Sequence, residues 1–161
     1  MNLICRLSDQ IDRLTQTFIQ AALAIIVLLF ILEVFARNVF RNSLTWIDEV
    51  SVTYLGTWFV FIGAAHAMKA GMLISFDSLL PRLPAPLRSI IFFVTQSLVL
   101  LFLGVIIVFG IRLSAFTMSQ PSAALQLPMG MAYLGVVVGC LLMVVHSIAA
   151  IAHKVKGEPR Q

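Results

Sequence analysis

Residues 89–111 read SIIFFVTQSLVLLFLGVIIVFGI, with no Asp, Glu, Lys or Arg among them. A hydrocarbon core about 30 Å thick needs ~20 apolar residues of helix to cross it. Lipid offers the backbone no hydrogen bonds, so such a run must satisfy its own N–H and C=O groups as a helix. Three further stretches, Leu14–Leu32, Val50–Met68 and Met129–Ala152, are equally free of charge. Together they fill most of the 161 residues. The sequence therefore predicts an all-α membrane protein, a single integral domain over residues 1–161 with spans at about 14–36, 46–68, 86–115 and 128–152.

Composition supports this reading. Hydrophobic residues make up 60% of the chain and charged ones 11%, against roughly 45–50% and 25% in soluble domains. The net charge of +4 is scattered between spans, so it carries topological information and gives no nucleic-acid footprint. Arg6, Arg13, Lys69, Arg82, Arg88, Lys154, Lys156 and Arg160 fall on one side. Arg37, Arg41 and Arg112 fall on the other. The positive-inside rule then predicts that both termini are cytoplasmic. Cys5 and Cys140 are far apart and form no CxxC pair. The first apolar run is longer than the h-region of a cleaved signal peptide, so it is expected to stay attached.

The connections carry their own signals. Leu3, Ile4, Leu7, Ile11 and Leu14 approach amphipathic spacing, so residues 1–13 either lie along the membrane surface or lengthen the first span. Thr45 followed by Asp48 resembles a capping box, and two carboxylates suit a helix N-terminus. Phe76, Leu79, Leu80 and Leu83 keep i, i+3, i+4, i+7 spacing, which predicts a short interfacial helix in the loop between the second and third spans. Pro81 should end it, and Pro86 suits the start of the third span. Pro121 and Pro128 predict a fixed, non-helical connection before the fourth. Gly135 and Gly139 form a GxxxG pair that permits close approach of another helix.

Few residues bear chemistry. Glu33, Arg37, Arg41, Asp48 and Glu49, with Trp46 beside them, concentrate charge at the outer end of the first two spans. Three readings stand: a local ion-pair network with a helix cap, a docking rim for an extracytoplasmic partner, or a site of ion or substrate coordination. His66 and His146 invite an axial haem pair, or polar contacts between helices. Thr95, Gln96 and Ser97 are candidates for interhelical hydrogen bonds. No ionisable residue sits at the middle of a span, where conducting and pumping proteins usually carry one. No catalytic, substrate, cofactor or metal residue is expected.

The runs Arg37-Asn38-Val39-Phe40-Arg41, Trp46-Ile47-Asp48-Glu49 and Trp58-Phe59-Val60-Phe61-Ile62-Gly63-Ala64-Ala65 are followed by Gly71 and Asp77. Leu83-Pro84 with Arg88, and Leu127-Pro128-Met129-Gly130-Met131-Ala132-Tyr133, come later in the chain. In this order the pattern resembles the small membrane (Q, DctQ-like) subunit of TRAP (tripartite ATP-independent periplasmic) transporters over about residues 15–153. Met72-Leu73-Ile74 departs from it, since many relatives have a histidine-containing stretch there.

The resemblance implies a non-enzymatic, multi-pass subunit of the bacterial inner membrane. Its implied partners are lipids, a large membrane subunit that carries a carboxylate-bearing solute with sodium, and a periplasmic substrate-binding protein. The small subunit would brace the large one and help to receive the binding protein. Gly63 is a candidate packing glycine alongside Gly135 and Gly139. Two other classes remain beside the resemblance. A self-sufficient four-helix exporter calls for a carboxylate midway along the first span, and a haem or quinone redox protein calls for more His or Cys pairs.

Overall fold

The computed structural model describes residues 3–40, 44–70 and 85–156. It is all-helical there. Helix α1 runs Leu3–Phe40, α2 Thr45–Lys69, α3 Ala85–Thr117 and α4 Gly130–Lys156. Each contains a segment long and apolar enough to cross a membrane. The expected interfacial helix with Phe76, Leu79, Leu80 and Leu83 lies outside the described residues.

Of the two readings of the N-terminal stretch, the structure takes the second. Helix α1 is continuous over 38 residues, about 57 Å at 1.5 Å per residue. Its first turns thus extend the span. The 33 residues of α3 reach about 50 Å, which in a bilayer demands tilt or protrusion.

The bundle is built around α4. It packs along both α2 and α3, while α1 leans mainly on α2. The most apolar window of α4 is 44% buried, against 11% in α1 and in α3. The reason lies in its small residues. A Cβ on Gly135 would come within 2.8 Å of the Trp58 indole, and one on Gly139 within 2.5 Å of Phe61 Cβ. On the other flank, Gly110 of α3 lies against Val137, and Gly130 meets the Ser114 carbonyl and Met118. Lipid tails are as apolar as Leu, so helices in a bilayer associate through van der Waals contact and hydrogen bonds rather than hydrophobic burial. Bare glycine faces maximise that contact. Gly63 is different: nothing lies within 4 Å of where its Cβ would stand. That corrects its expected packing role, because it lies off the α4 face of α2.

Polar groups reinforce the two α4 seams. Gln96 Nε2 of α3 donates to Ser147 Oγ of α4, both buried. Ser114 Oγ donates to the Gly130 carbonyl at 2.9 Å. Trp58 Nε1 donates to the Met131 carbonyl at 3.0 Å. Such bonds contribute roughly 0.6–2 kcal/mol each in a membrane.

Two local features depart from the sequence reading. The α2 N-cap is Leu44, with no side-chain cap bond. Thr45 is already helical, so its hydroxyl does not close a capping box with Asp48. Beyond the first turn, Glu49–Gly56 forms two turns of π-helix before α-geometry resumes at Thr57. A Cβ on Gly56 would lie 2.9 Å from the Ser51 carbonyl, so the wide turn closes over a residue without a side chain. Thr57 Oγ1 donates to the Thr53 carbonyl at 2.7 Å. Extended π segments are rare; here the hydrophobic pattern stays compatible with an α-helix and does not announce one.

The glycine seam makes a direct prediction. Gly139→Ala should force α2 and α4 apart and lower stability by about 1–3 kcal/mol, the range for overpacking. Gly63→Ala should be tolerated. Thermal unfolding of the two variants in one detergent checks this; equal midpoints would show that the seam is slack.

Candidate functional site

The charges gather at the two ends of the bundle. At the end away from the chain termini, α1 finishes, α2 begins and the α3–α4 loop crosses over. This loop is built from short-range bonds. Pro121 and Pro128 pair as an antiparallel bridge. Ser122 N–H donates to the Leu127 carbonyl at 2.9 Å, and Leu127 N–H donates back to Ser122 Oγ at 3.1 Å. Met129 N–H donates to the Gln120 carbonyl. Gln126 closes the turn in the left-handed region, at φ 57°, a conformation uncommon outside glycine. The non-helical connection expected from the two prolines is therefore a closed, bonded loop.

Helix α2 holds this loop from below. Glu49, in the first π turn, accepts the N–H groups of Ala124 (2.7 Å) and Leu125 (3.2 Å), with the Ser122 hydroxyl alongside. Tyr54 OH, five residues on, donates to the Leu127 carbonyl at 3.1 Å. A carboxylate accepting two backbone N–H groups makes a charge-assisted pair, stronger than neutral bonds. Glu49 is thus occupied in shaping the loop, while its neighbours Asp48 and Trp46 point outward and are exposed.

The remaining rim residues divide in the same way. Glu33 is buried, and Arg37, four residues on, is 60% exposed with its Nη1 at 4.0 Å from Glu33 Oε1. At that separation the pair is a charge contact and not a hydrogen bond. Arg41 lies outside the described residues. Arg112, which loop charge alone would assign to the third connection, sits inside α3, five residues before its end.

A second cluster occupies the opposite end. Asp12, early in α1, accepts from Lys69 Nζ at 3.2 Å and lies 2.7 Å from His66 Nδ1, both on the last turn of α2. This clasp joins residues 54 and 57 positions apart. Sequence reasoning missed it. The usable signal was the i, i+3 spacing of His66 and Lys69, which puts two potential donors on one helix face. His146 is buried in α4. Among the described residues, no three His, Cys, Asp or Glu side chains come together in a way that could hold a metal ion.

Four apolar helices, charges at the bundle ends and a bonded loop over one end define a membrane component. Comparison with known families is specific: the model described as "Tripartite ATP-independent periplasmic transporters, DctQ component" matches residues 26–157. The chain belongs to the DctQ family. It is accordingly a multi-pass inner-membrane protein and a transporter component, not an enzyme. The chain is 32% identical over 103 residues to the C4-dicarboxylate TRAP transporter small permease protein DctQ of Rhodobacter capsulatus. That stretch covers 63% of this chain and 45% of the relative, so this chain aligns with less than half the length of that protein.

The two ends yield separate predictions. Glu49→Gln weakens the grip on the loop, so cysteines placed at Ala123 or Gln126 should react faster with a water-soluble thiol reagent. Asp48→Asn should leave those rates unchanged. Asp12→Asn releases the clasp between α1 and α2. Amide exchange should quicken in the first turns of α1 while global stability falls only modestly, because the three side chains are partly rather than fully buried. Unaltered exchange there would mean that α1 is held by its apolar contacts alone.

Proposed function

We propose that this DctQ-family chain is the non-catalytic small membrane subunit of a TRAP-type importer of a small carboxylate-bearing solute. In this reading both termini are cytoplasmic, consistent with eight basic residues on that side and three on the other. The Asp12–His66–Lys69 clasp then lies at the cytoplasmic end and the bonded loop at the periplasmic end. The chain braces a larger membrane subunit, in which solute movement and sodium coupling reside. Its own spans need no cofactor. Asp48, Trp46 and the loop held by Glu49 form a surface that helps to receive a periplasmic substrate-binding protein.

The observation that carries this reading is the uneven burial of the bundle. Helix α4 is packed, with 44% of its most apolar window buried, whereas that share is 11% in α1 and in α3. A self-contained carrier encloses its solute between helices, whereas a brace presents its helices to a neighbour. The polar pair deepest between helices, Gln96 with Ser147, is uncharged and bonded to itself. It supports a packing role and leaves solute handling to the partner. The carboxylate class follows from the name of the Rhodobacter capsulatus relative, a C4-dicarboxylate permease protein.

Two measurements test the proposal. Purified from native membranes, the chain should elute with a larger membrane protein. Uptake of a dicarboxylate into liposomes should require both of them, the binding protein and a sodium gradient. A chain that purifies alone and transports by itself would sink the idea. The combined substitution Asp48→Ala with Glu49→Ala should reduce uptake without changing the affinity of the binding protein for its solute. Full uptake in that variant would reduce the rim to a purely structural element.

A further inference from the structure

Three side chains of α2 reach the α3–α4 loop and the first turn of α4 from one side. Glu49 accepts the N–H groups of Ala124 and Leu125, Tyr54 donates to the Leu127 carbonyl, and Trp58 donates to the Met131 carbonyl. Their spacing does not suit an α-helix. At 3.6 residues per turn, Glu49 would stand about 140° around the helix from Tyr54 and about 180° from Trp58. It would face away from the loop that it holds. The π turns over Glu49–Gly56 remove the conflict. Pairing residue i with i+5 sets residues five apart one turn above the other, on one face. Glu49 meets the loop because α2 is wide there.

The π register has identifiable supports and one cost. A Cβ on Gly56 would lie 2.9 Å from the Ser51 carbonyl oxygen and 3.8 Å from its carbon, with no other described atom beyond the adjoining turn within 4 Å. The obstacle is the carbonyl five residues back. In an α-helix residue 56 pairs with the carbonyl four residues back, and the Ser51 carbonyl moves off. Glycine is therefore needed by the π winding itself and not by a neighbouring helix. At the junction with α-geometry, Thr57 Oγ1 takes up the Thr53 carbonyl at 2.7 Å. Against these stands Ser51 Oγ, buried with no hydrogen-bond partner among the described residues, which opposes folding in this register. Wound as α, the segment would bring Val50, four residues before Tyr54, to the place where Glu49 now stands. A valine offers Ala124 and Leu125 no acceptor.

We infer that Glu49–Gly56 is a two-register device. Gly56 admits the π form, the Glu49 bonds hold it, and winding to α releases the α3–α4 loop by turning Glu49 away and Val50 in. In the proposed function this sets the surface offered to a binding protein. The device itself does not depend on that function, and its test reads the loop alone.

The test follows amide exchange in the loop peptide carrying Ala124 and Leu125, in the full chain. Gly56→Ala disfavours the π register. It should speed that exchange as much as Glu49→Gln does, on the order of tenfold, as for the loss of a hydrogen bond to a charged group. Adding Glu49→Gln to Gly56→Ala should change nothing further, because the two act through one contact. Swapping the neighbours, Glu49→Val with Val50→Glu, should free the loop in the Gly56 chain and hold it again in the Gly56→Ala chain. Gly63→Ala, which has open space around its Cβ, should leave exchange as it was. Unchanged exchange in Gly56→Ala overturns the inference. So do effects of Gly56→Ala and Glu49→Gln that multiply, or a swap that never slows the loop again. A Gly56→Ala chain that fails to fold overturns it too, since α winding has room for the methyl.

Discussion

The close approach of α4 to α2 across Gly135 and Gly139 sets the position of nearly everything else. With Trp58 and Phe61 lying directly on the α4 backbone, the Trp58 indole reaches the Met131 carbonyl and Tyr54 reaches the end of the α3–α4 loop. Moving α2 outward by the width of a methyl group would break both contacts. In a bilayer no hydrophobic gain from water compensates a looser fit. Glycine spacing on one helix and aromatic spacing on the other therefore act as one device.

That seam also explains why the charged rim is divided. The wide turns of α2 over Glu49–Gly56 and the fixed depth of α4 bring Glu49 under the N–H groups of Ala124 and Leu125. A carboxylate beneath two unpaired N–H groups organises the loop. The adjacent residue, Asp48, faces outward. Two neighbouring acids of the same charge thus hold different positions, decided by the direction each leaves the helix.

The bundle is open on two sides. Helix α4 uses both of its flanks, while α1 and α3 each use one. That uncovered apolar length is where neighbouring helices or lipid must lie. The clasp of Asp12 with His66 and Lys69 keeps the long α1 attached to α2 at one end, where its apolar packing is sparse.

Much of this was legible in the sequence. The four charge-free runs determine four helices because lipid leaves the backbone no alternative. The prolines of the α3–α4 connection announce a break, the Gly135–Gly139 pair announces a close contact, and Gln96 announces a polar bond between helices. What stayed hidden depended on residues distant in the chain or on departures from regular helix. Asp12 meets His66 across 54 positions, and no local pattern pairs them. The π turns leave hydrophobic spacing almost unchanged. Gly63 looked like Gly135 and Gly139 because sequence identifies a bare surface without saying what faces it. Span number, helical class and family were thus determined by composition and motif. Tertiary structure alone decided which glycines are seams and which acid shapes the loop, because each depends on the direction a side chain takes once the helices are packed.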